Sequence, residues 1–162
     1  MIEIKYRGMC LYNYGTWFYG LLANPKVDLN HVKAGWYISN SAGMPFAYAI
    51  RPETIGKYIG IKDKNDKEIY EGDLIKFTLP EWTVPSGSYD YDGDEGEYSV
   101  DERTIICEVQ IRPTRGAGLV YRKDVDDNVE GGNLKYHWFK IKRTDEVVGN
   151  IYENYELLKE EK

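Results

Sequence analysis

Residues 57–77 read KYIGIKDKNDKEIYEGDLIKF: two apolar runs on either side of a charged tip, then a glycine and a third apolar run. The first run is rich in tyrosine and isoleucine, which favour strands. Residues 62–67 supply the Asp and Asn that tight turns favour, so the pattern predicts a β-hairpin. At Glu71-Gly72-Asp73 we expect a second turn, in which glycine adopts a conformation that a side chain would resist and Asp73 caps backbone amides.

Turns of this kind lead into strands in small SH3-like barrels, although turn geometry alone explains most of them. We therefore predict structural and not ligand-binding roles for the turn residues of this stretch and of a second Gly-Asn turn near the C-terminus. They are Gly60, Asp63, Glu71, Gly72, Asp73, Gly149 and Asn150.

Two long motifs carry a family resemblance: YIGIKDKNDKEIYEGDLI at residues 58–75 and EVVGNIYENYELL at residues 146–158. Together they resemble the YopX family of phage and prophage proteins. IKYRG at 4–8, WFYGLL at 17–22 and RPETIGKYIG at 51–60 are similar to the layout of members with an N-terminal aromatic hairpin. Asp66 stands where members often have Gly, and Tyr155 where Pro is usual. The resemblance implies one architecture from end to end, but no activity, because the family is uncharacterised.

The rest of the chain alternates strand-like runs with turn-rich segments, and no stretch keeps a 3.6-residue period over three turns. Asn154 is placed to cap a short C-terminal helical segment. The predicted fold is mainly β, with N-terminal β-hairpins at residues 1–56 packed on a small SH3-like β-barrel at residues 57–162. A long acidic loop at 80–102 interrupts the barrel-like part.

The net charge of −6 comes from one segment of the 162-residue chain, because residues 81–102 hold eight acidic and no basic residues. Outside it, 19 acidic residues face 21 basic ones. Cys10 and Cys107 are isolated thiols, which suits a reducing compartment. No signal-like run and no stretch of about twenty apolar residues is present. We therefore expect a protein of the bacterial host cytoplasm that does not enter a membrane.

The acidic loop superficially resembles a calcium-binding loop. Counted from Asp90, it has Glu95 where glycine is required and Asp101 where glutamate is usual. His31 and His137 are the only histidines, and neither has metal-site spacing. Nucleophile-elbow, P-loop and dinucleotide-binding motifs are all missing. The sequence predicts no metal, no cofactor and no enzymatic activity, and a hydrolase using the acidic loop is the least supported hypothesis.

Aromatic residues are abundant, with 15 Tyr, 4 Trp and 4 Phe. Our main hypothesis is a non-enzymatic phage or prophage accessory protein that binds a host or phage protein through a β edge or an aromatic surface. The alternative is single- or double-stranded nucleic acid, bound by cations and aromatic faces near the last strands. That surface would consist of Arg112, Arg115, Tyr121, Arg122, Lys140, Lys142 and Arg143. Homo-oligomerisation through edge strands is left open.

Overall fold

The computed structural model describes residues 4–28, 30–39, 47–79, 82–84, 98–100, 103–121 and 138–158. These residues form thirteen strands and two short 3-10 helices, Pro52–Thr54 and Tyr155–Leu158. The strands are β1 (Tyr6–Met9), β2 (Trp17–Ala23), β3 (Tyr37–Ser39), β4 (Ala47–Ala49), β5 (Gly56–Lys62), β6 (Glu68–Tyr70), β7 (Asp73–Leu79), β8 (Trp82–Val84), β9 (Tyr98–Val100), β10 (Arg103–Arg112), β11 (Gly116–Tyr121), β12 (Trp138–Phe139) and β13 (Glu146–Asn150).

The first sheet is antiparallel, has the order β4-β3-β2-β1-β5-β6, and curls strongly. A bridge between Cys10 and Ile50 brings the end of β4 back beside the end of β1. Two glycines on the inner side permit this curl. A Cβ at Gly8 would come within 2.5 Å of the Ile50 side chain, and one at Gly20 would overlap the Ser39 carbonyl. Close packing of Ile50 on β1, and of the β3 backbone on β2, therefore requires a residue without a side chain at these two positions.

The second sheet is also antiparallel, with the order β12-β11-β10-β7-β13, and it provides most of the core. Alternate residues of β7 and β10 point to one face, as the period of a strand requires. That face forms a cluster of Ile75, Phe77, Ile105, Cys107, Val109, Leu119, Ile141 and Val147. Ile69 of β6 belongs to the same cluster, and Ile59 and Ile61 of β5 pack against it, so the central hairpin shares this core. Met9 and Ile38, the buried hydrophobic residues of β1 and β3, lie outside the cluster.

Asp63, in the turn between β5 and β6, joins the hairpin to the second sheet. This residue is 6% exposed. It accepts hydrogen bonds from the backbone amides of Asn65 (2.8 Å), Lys67 (2.9 Å) and, in β13, Val147 (3.0 Å). Burial by itself raises the pKa of Asp63, but the amide donors outweigh it, so the pKa lies below its ordinary value. One carboxylate thus closes the turn and fixes it to the neighbouring sheet.

The prediction of a mainly β protein is confirmed, and the residues that the structure describes contain two large antiparallel sheets, one two-stranded pair and almost no helix. No closed barrel is found among them. The physical reason is that β5 pairs with β1, with Lys57 opposite Tyr6, so the central hairpin extends the first sheet and does not pair with the later strands. A C-terminal helix is not confirmed, because the described chain ends in a single 3-10 turn.

The division of the chain at Gly56 stays a prediction. The first sheet continues past that residue to Tyr70. Of the acidic loop at 80–102, the structure describes only β8 and β9, which pair with each other; the rest of the loop and His137 lie outside the described residues. No helix in the described ranges is long and apolar enough to cross a membrane.

Replacing the buried carboxylate of Asp63 tests its role in joining the sheets. In Asp63→Asn an amide group faces backbone donors, so we expect a loss of about 1–3 kcal/mol in the free energy of unfolding at pH 7, measured by urea denaturation. Because the folded pKa lies below the unfolded value, the wild-type advantage is complete above about pH 4 and shrinks as the pH falls further.

Asp66→Asn is the matched control, since Asp66 is exposed and has a φ of +65° that Asn tolerates well. Its stability should stay within about 0.5 kcal/mol of the wild type. Equal losses in the two variants would contradict the role assigned to Asp63.

Candidate functional site

Arg7 lies where the two sheets meet and is 5% exposed. Its Nη1 forms an ion pair with the carboxylate of Asp73, and its Nη2 donates to the carbonyl oxygen of Glu71 (3.2 Å). The guanidinium carbon lies 5.0 Å from the ring centroid of Trp17 and 5.3 Å from that of Tyr70. A cation from the first sheet is therefore held by two aromatic rings and by an acid at the start of the second sheet.

Gly56 of β5 leaves the room that Arg7 needs. It pairs with Arg7 across the sheet, and a Cβ there would lie 3.3 Å from Arg7 Nε and would overlap the Glu71 carbonyl. The Nε group is buried and has no hydrogen-bond partner among the described residues, which costs desolvation energy. Burial also raises the pKa of Asp73, although the Arg7 guanidinium opposes that shift. Burial of the Arg7–Asp73 ion pair costs desolvation free energy, so the surrounding packing must hold its geometry.

A second charge pair supports the aromatic side of this cluster. The Tyr70 hydroxyl donates to Glu68 (2.7 Å), and Lys5 donates to both oxygens of that carboxylate (2.8 and 2.7 Å). Burial, and next the bond to Glu68, hold the pKa of Tyr70 well above its ordinary value, and burial likewise raises the pKa of Tyr19. Both phenols remain protonated at neutral pH, so the cluster supplies fixed donors and packing.

The turn after β13 connects this cluster to the loop between β1 and β2. Asn150 Oδ1 accepts from the amides of Tyr152 (2.9 Å) and Glu153 (3.1 Å), which shapes the turn. Glu153 Oε2 then accepts from Trp17 Nε1 (3.0 Å), and the hydroxyl of Tyr14 donates to the Tyr152 carbonyl (3.0 Å). The C-terminal turn therefore holds the N-terminal hairpin in place.

We name residues 11–15 the aromatic loop. Its first amide, of Leu11, donates to a β4 carbonyl (2.9 Å), and Arg51 donates to the carbonyls of Leu11 (3.3 Å) and Cys10 (3.4 Å). The Arg51 guanidinium also lies 5.8 Å from the Tyr14 ring centroid. Despite these restraints, Tyr12 is 85% exposed, Tyr14 65% and Leu11 41%. The aromatic loop is thus restrained by hydrogen bonds and still exposes large apolar side chains to solvent.

The basic residues expected near the last strands are exposed. Those that the structure describes are Arg112, Arg115, Lys140, Lys142 and Arg143. The side chain of Tyr121, and Arg122 altogether, lie outside the described residues. The Trp138 ring lies on Gly118, where a Cβ would overlap it, and the Arg112 guanidinium lies 4.7 Å from its centroid. These neighbours occupy the Trp138 ring, so this surface offers cations more than stacking faces.

The structure brings Glu71, Gly72 and Asp73 to the Arg7 cluster and leaves Gly60 apart from it. Gly60 and Gly72 have φ angles of +87° and +82°. Asp73 accepts from the Tyr70 amide (2.7 Å) and Glu71 from the Ile111 amide (3.4 Å).

At the other predicted turn, Gly149 lies at a register shift between β13 and β7. A Cβ there would lie 2.5 Å from Asn154 Oδ1. Asp63, in the turn between β5 and β6, accepts a hydrogen bond from the Val147 amide of this same strand.

Sequence reasoning missed Arg7, Trp17, Tyr70 and Arg51. One available signal was Arg7 itself: a charged residue between Tyr6 and Gly8 in a strand needs an acidic partner if it is buried. Within the described ranges, no group of three or more His, Cys, Asp or Glu side chains is placed to hold a metal ion.

Comparison with known proteins gives one family match. The model of the family described as YopX protein matches residues 6–159, which include both sheets and the C-terminal turn. A crystal structure of protein EF1440 from Enterococcus faecalis is similar, with a TM-score of 0.42 and 20% identity over 98% of this chain and 99% of that chain. Among curated proteins, no match to the chain is found.

A double-mutant cycle tests whether Arg7 and Asp73 depend on each other. Arg7→Met leaves a buried carboxylate without its partner, so we expect a loss of about 3–5 kcal/mol in unfolding free energy by urea denaturation. Asp73→Asn should cost a similar amount, and the double variant clearly less than the two losses together.

The exposed pair Lys33–Asp28 provides the control, because Lys33→Met should change stability by less than about 1 kcal/mol. Additive losses for Arg7 and Asp73 would show that the two residues do not act as a pair.

Proposed function

The chain belongs to the YopX family, and from its surface we propose that it is a non-enzymatic accessory protein of a phage or prophage that binds a host or phage protein through the aromatic loop. The observation that carries the proposal is Tyr12, which is 85% exposed on a loop restrained at both ends. Large exposed aromatic side chains are the residues that most often dominate protein–protein binding energy.

Restraint of the loop matters as much as its composition. A flexible loop loses conformational entropy when it binds, whereas a loop already fixed by Arg51 and by the C-terminal turn loses less. The outer side of β2 adds exposed apolar area, with Tyr19 46% and Leu21 55% exposed. An apolar, preorganised surface of this kind fits a protein partner.

The β edges give less support for binding by strand addition. In β13, an edge strand of the second sheet, the amide of Val147 is held by Asp63 and that of Asn150 by Asn154. The Tyr70 amide of β6, an edge strand of the first sheet, is likewise held by a carboxylate. Amides engaged by side chains do not pair with an added strand. We therefore favour the aromatic loop over the β6 and β13 edges, for a partner and for a second copy alike.

Nucleic acid remains the second candidate, favoured by the distribution of charge on the second sheet. Asp73 and Glu108 of this sheet are buried and Glu146 is partly exposed in an ion pair with Lys64, whereas the described cations near its last strands are exposed. The described part of this surface is therefore basic, and a polyanion would gain from counterion release there.

We also propose the bacterial cytoplasm as the place of action. Cys10 and Cys107 are the two cysteines of the chain and stand far apart in the sequence, which supports a reducing compartment.

Removing the apolar side chains of the aromatic loop tests the main proposal. Tagged wild-type protein and Leu11→Ser/Tyr12→Ser are incubated with nuclease-treated host lysate, and bound proteins are quantified by mass spectrometry. We expect the stoichiometric partner to fall at least about tenfold in the variant, with an unchanged melting temperature, because these side chains are exposed.

Ile4→Ser and Val27→Ser are matched controls, since both side chains are more than half exposed and lie outside the loop. Their partner recovery should equal that of the wild type. Full recovery by the loop variant would remove the aromatic loop from the proposal.

The nucleic-acid candidate predicts a mobility shift of DNA or RNA at low salt, where the phosphate contribution is largest. Replacing Lys140, Lys142 and Arg143 by Gln should weaken the binding uniformly across sequences and flatten its salt dependence. An unshifted oligonucleotide in 20 mM salt, a condition of about a 20 Å screening length, would reject this candidate.

A further inference from the structure

Arg51 is the cation that contacts the aromatic loop, and backbone carbonyls compensate its charge only in part. Two of its five N–H groups point to the carbonyls of Cys10 and Leu11, at 3.4 and 3.3 Å. Within the part of the chain that the structure describes, the ion pairs closer than 4.0 Å do not include Arg51. The remaining donors of its planar fork are suited to a carboxylate.

Arg7 shows what a completed environment of this kind looks like in the same protein. It has aromatic rings, a backbone carbonyl and a carboxylate, and it is buried. Arg51 has an aromatic ring, that of Tyr14, and two backbone carbonyls, and it is half-buried. Among the described residues, Arg51 thus lacks the carboxylate and the second ring that Arg7 has, and it is more exposed.

The neighbours of Arg51 define what should accompany that carboxylate. Arg51 donates to the carbonyl of Leu11. Leu11 and the next residue of the aromatic loop, Tyr12, are exposed by 41% and 85%. We propose that the aromatic loop and Arg51 bind an acidic–apolar segment of a partner protein, in which an Asp or Glu side chain pairs with Arg51 and an adjacent aliphatic or aromatic side chain covers Leu11 and Tyr12. This inference rests on the proposed protein-binding function and specifies the partner's chemistry.

A nucleic acid fits this loop less well, although a phosphate would also pair with Arg51. Glu53 is exposed two residues along the chain, and Glu153 lies near Gly15, with Oε1 3.8 Å from where a Cβ there would be. These carboxylates repel a chain of phosphates, with a charge on every nucleotide, more than they repel one acidic side chain. One cation next to exposed apolar side chains suits a single carboxylate with apolar flanks.

Peptide selection tests the inference directly. A random peptide library is selected on the immobilised full-length protein, with counter-selection on Leu11→Ser/Tyr12→Ser. We expect recovered peptides to carry Asp or Glu within two residues of a large apolar side chain. A synthetic version should bind the wild type at least about tenfold more tightly than Arg51→Gln, because hydrogen bonds between charged groups are the strong ones.

A second arm keeps the protein intact, since Arg51→Gln also removes contacts that hold the loop. Changing the peptide's acid to its amide should weaken binding to the wild type by a similar factor and change binding to Arg51→Gln little. If Arg51→Gln acted only by disturbing the loop, the change from acid to amide in the peptide would weaken binding to the wild type and to Arg51→Gln by the same factor.

The outcomes separate the two proposals. Selected peptides that are apolar without an acid, or that bind Arg51→Gln equally well, would overturn the acidic partner but keep the aromatic loop as a binding surface. No enrichment over the counter-selection variant would overturn both. Displacement of the peptide by an equimolar oligonucleotide would also contradict the inference and favour nucleic acid.

Discussion

The buried ion pair between Arg7 and Asp73 is the constraint on which the rest of the structure depends. Two charges that leave water are costly, and they are tolerated only in good geometry. That geometry requires β1 beside β5, a glycine at position 56, and a turn at Gly72 that points Asp73 back at the first sheet. The pair therefore specifies how the two sheets join more than it stabilises either one.

The same constraint reaches the surface that we propose for binding. The Arg7 guanidinium packs on Trp17, whose indole donates to Glu153 in the C-terminal turn, and that turn accepts from Tyr14 in the aromatic loop. Each contact is modest alone, but together they link the sheet junction to a loop whose outer side chains are exposed. The protein thus uses a series of polar interactions, buried at Arg7 and exposed at Glu153 and Tyr14, to hold an apolar surface that a partner would meet without ordering it first.

The sequence predicted the β class, the central hairpin position and a turn at Gly72, because alternation and turn chemistry are local signals. It did not predict that β5 would pair with β1, since a strand's pattern says which face is buried and not which neighbour takes its edge. For this reason a closed barrel was expected and an extended curled sheet was found. The role of Arg7 depends on Glu71 and Asp73, 64 and 66 positions away, and that of Arg51 on Cys10 and Leu11, 41 and 40 positions away. The exposure of Tyr12 depends on what the fold leaves uncovered.

Native-state amide hydrogen exchange of the wild type and Arg7→Met is the most direct test of the claim that this pair joins the sheets. In the wild type, the slowest amides of the first sheet, such as Ile38, and of the second, such as Val109, should share one opening free energy, as a single cooperative unit does. In Arg7→Met the first sheet should open at a clearly lower free energy than the second. Separate opening energies already in the wild type, or equal shifts of both sheets in Arg7→Met, would contradict it.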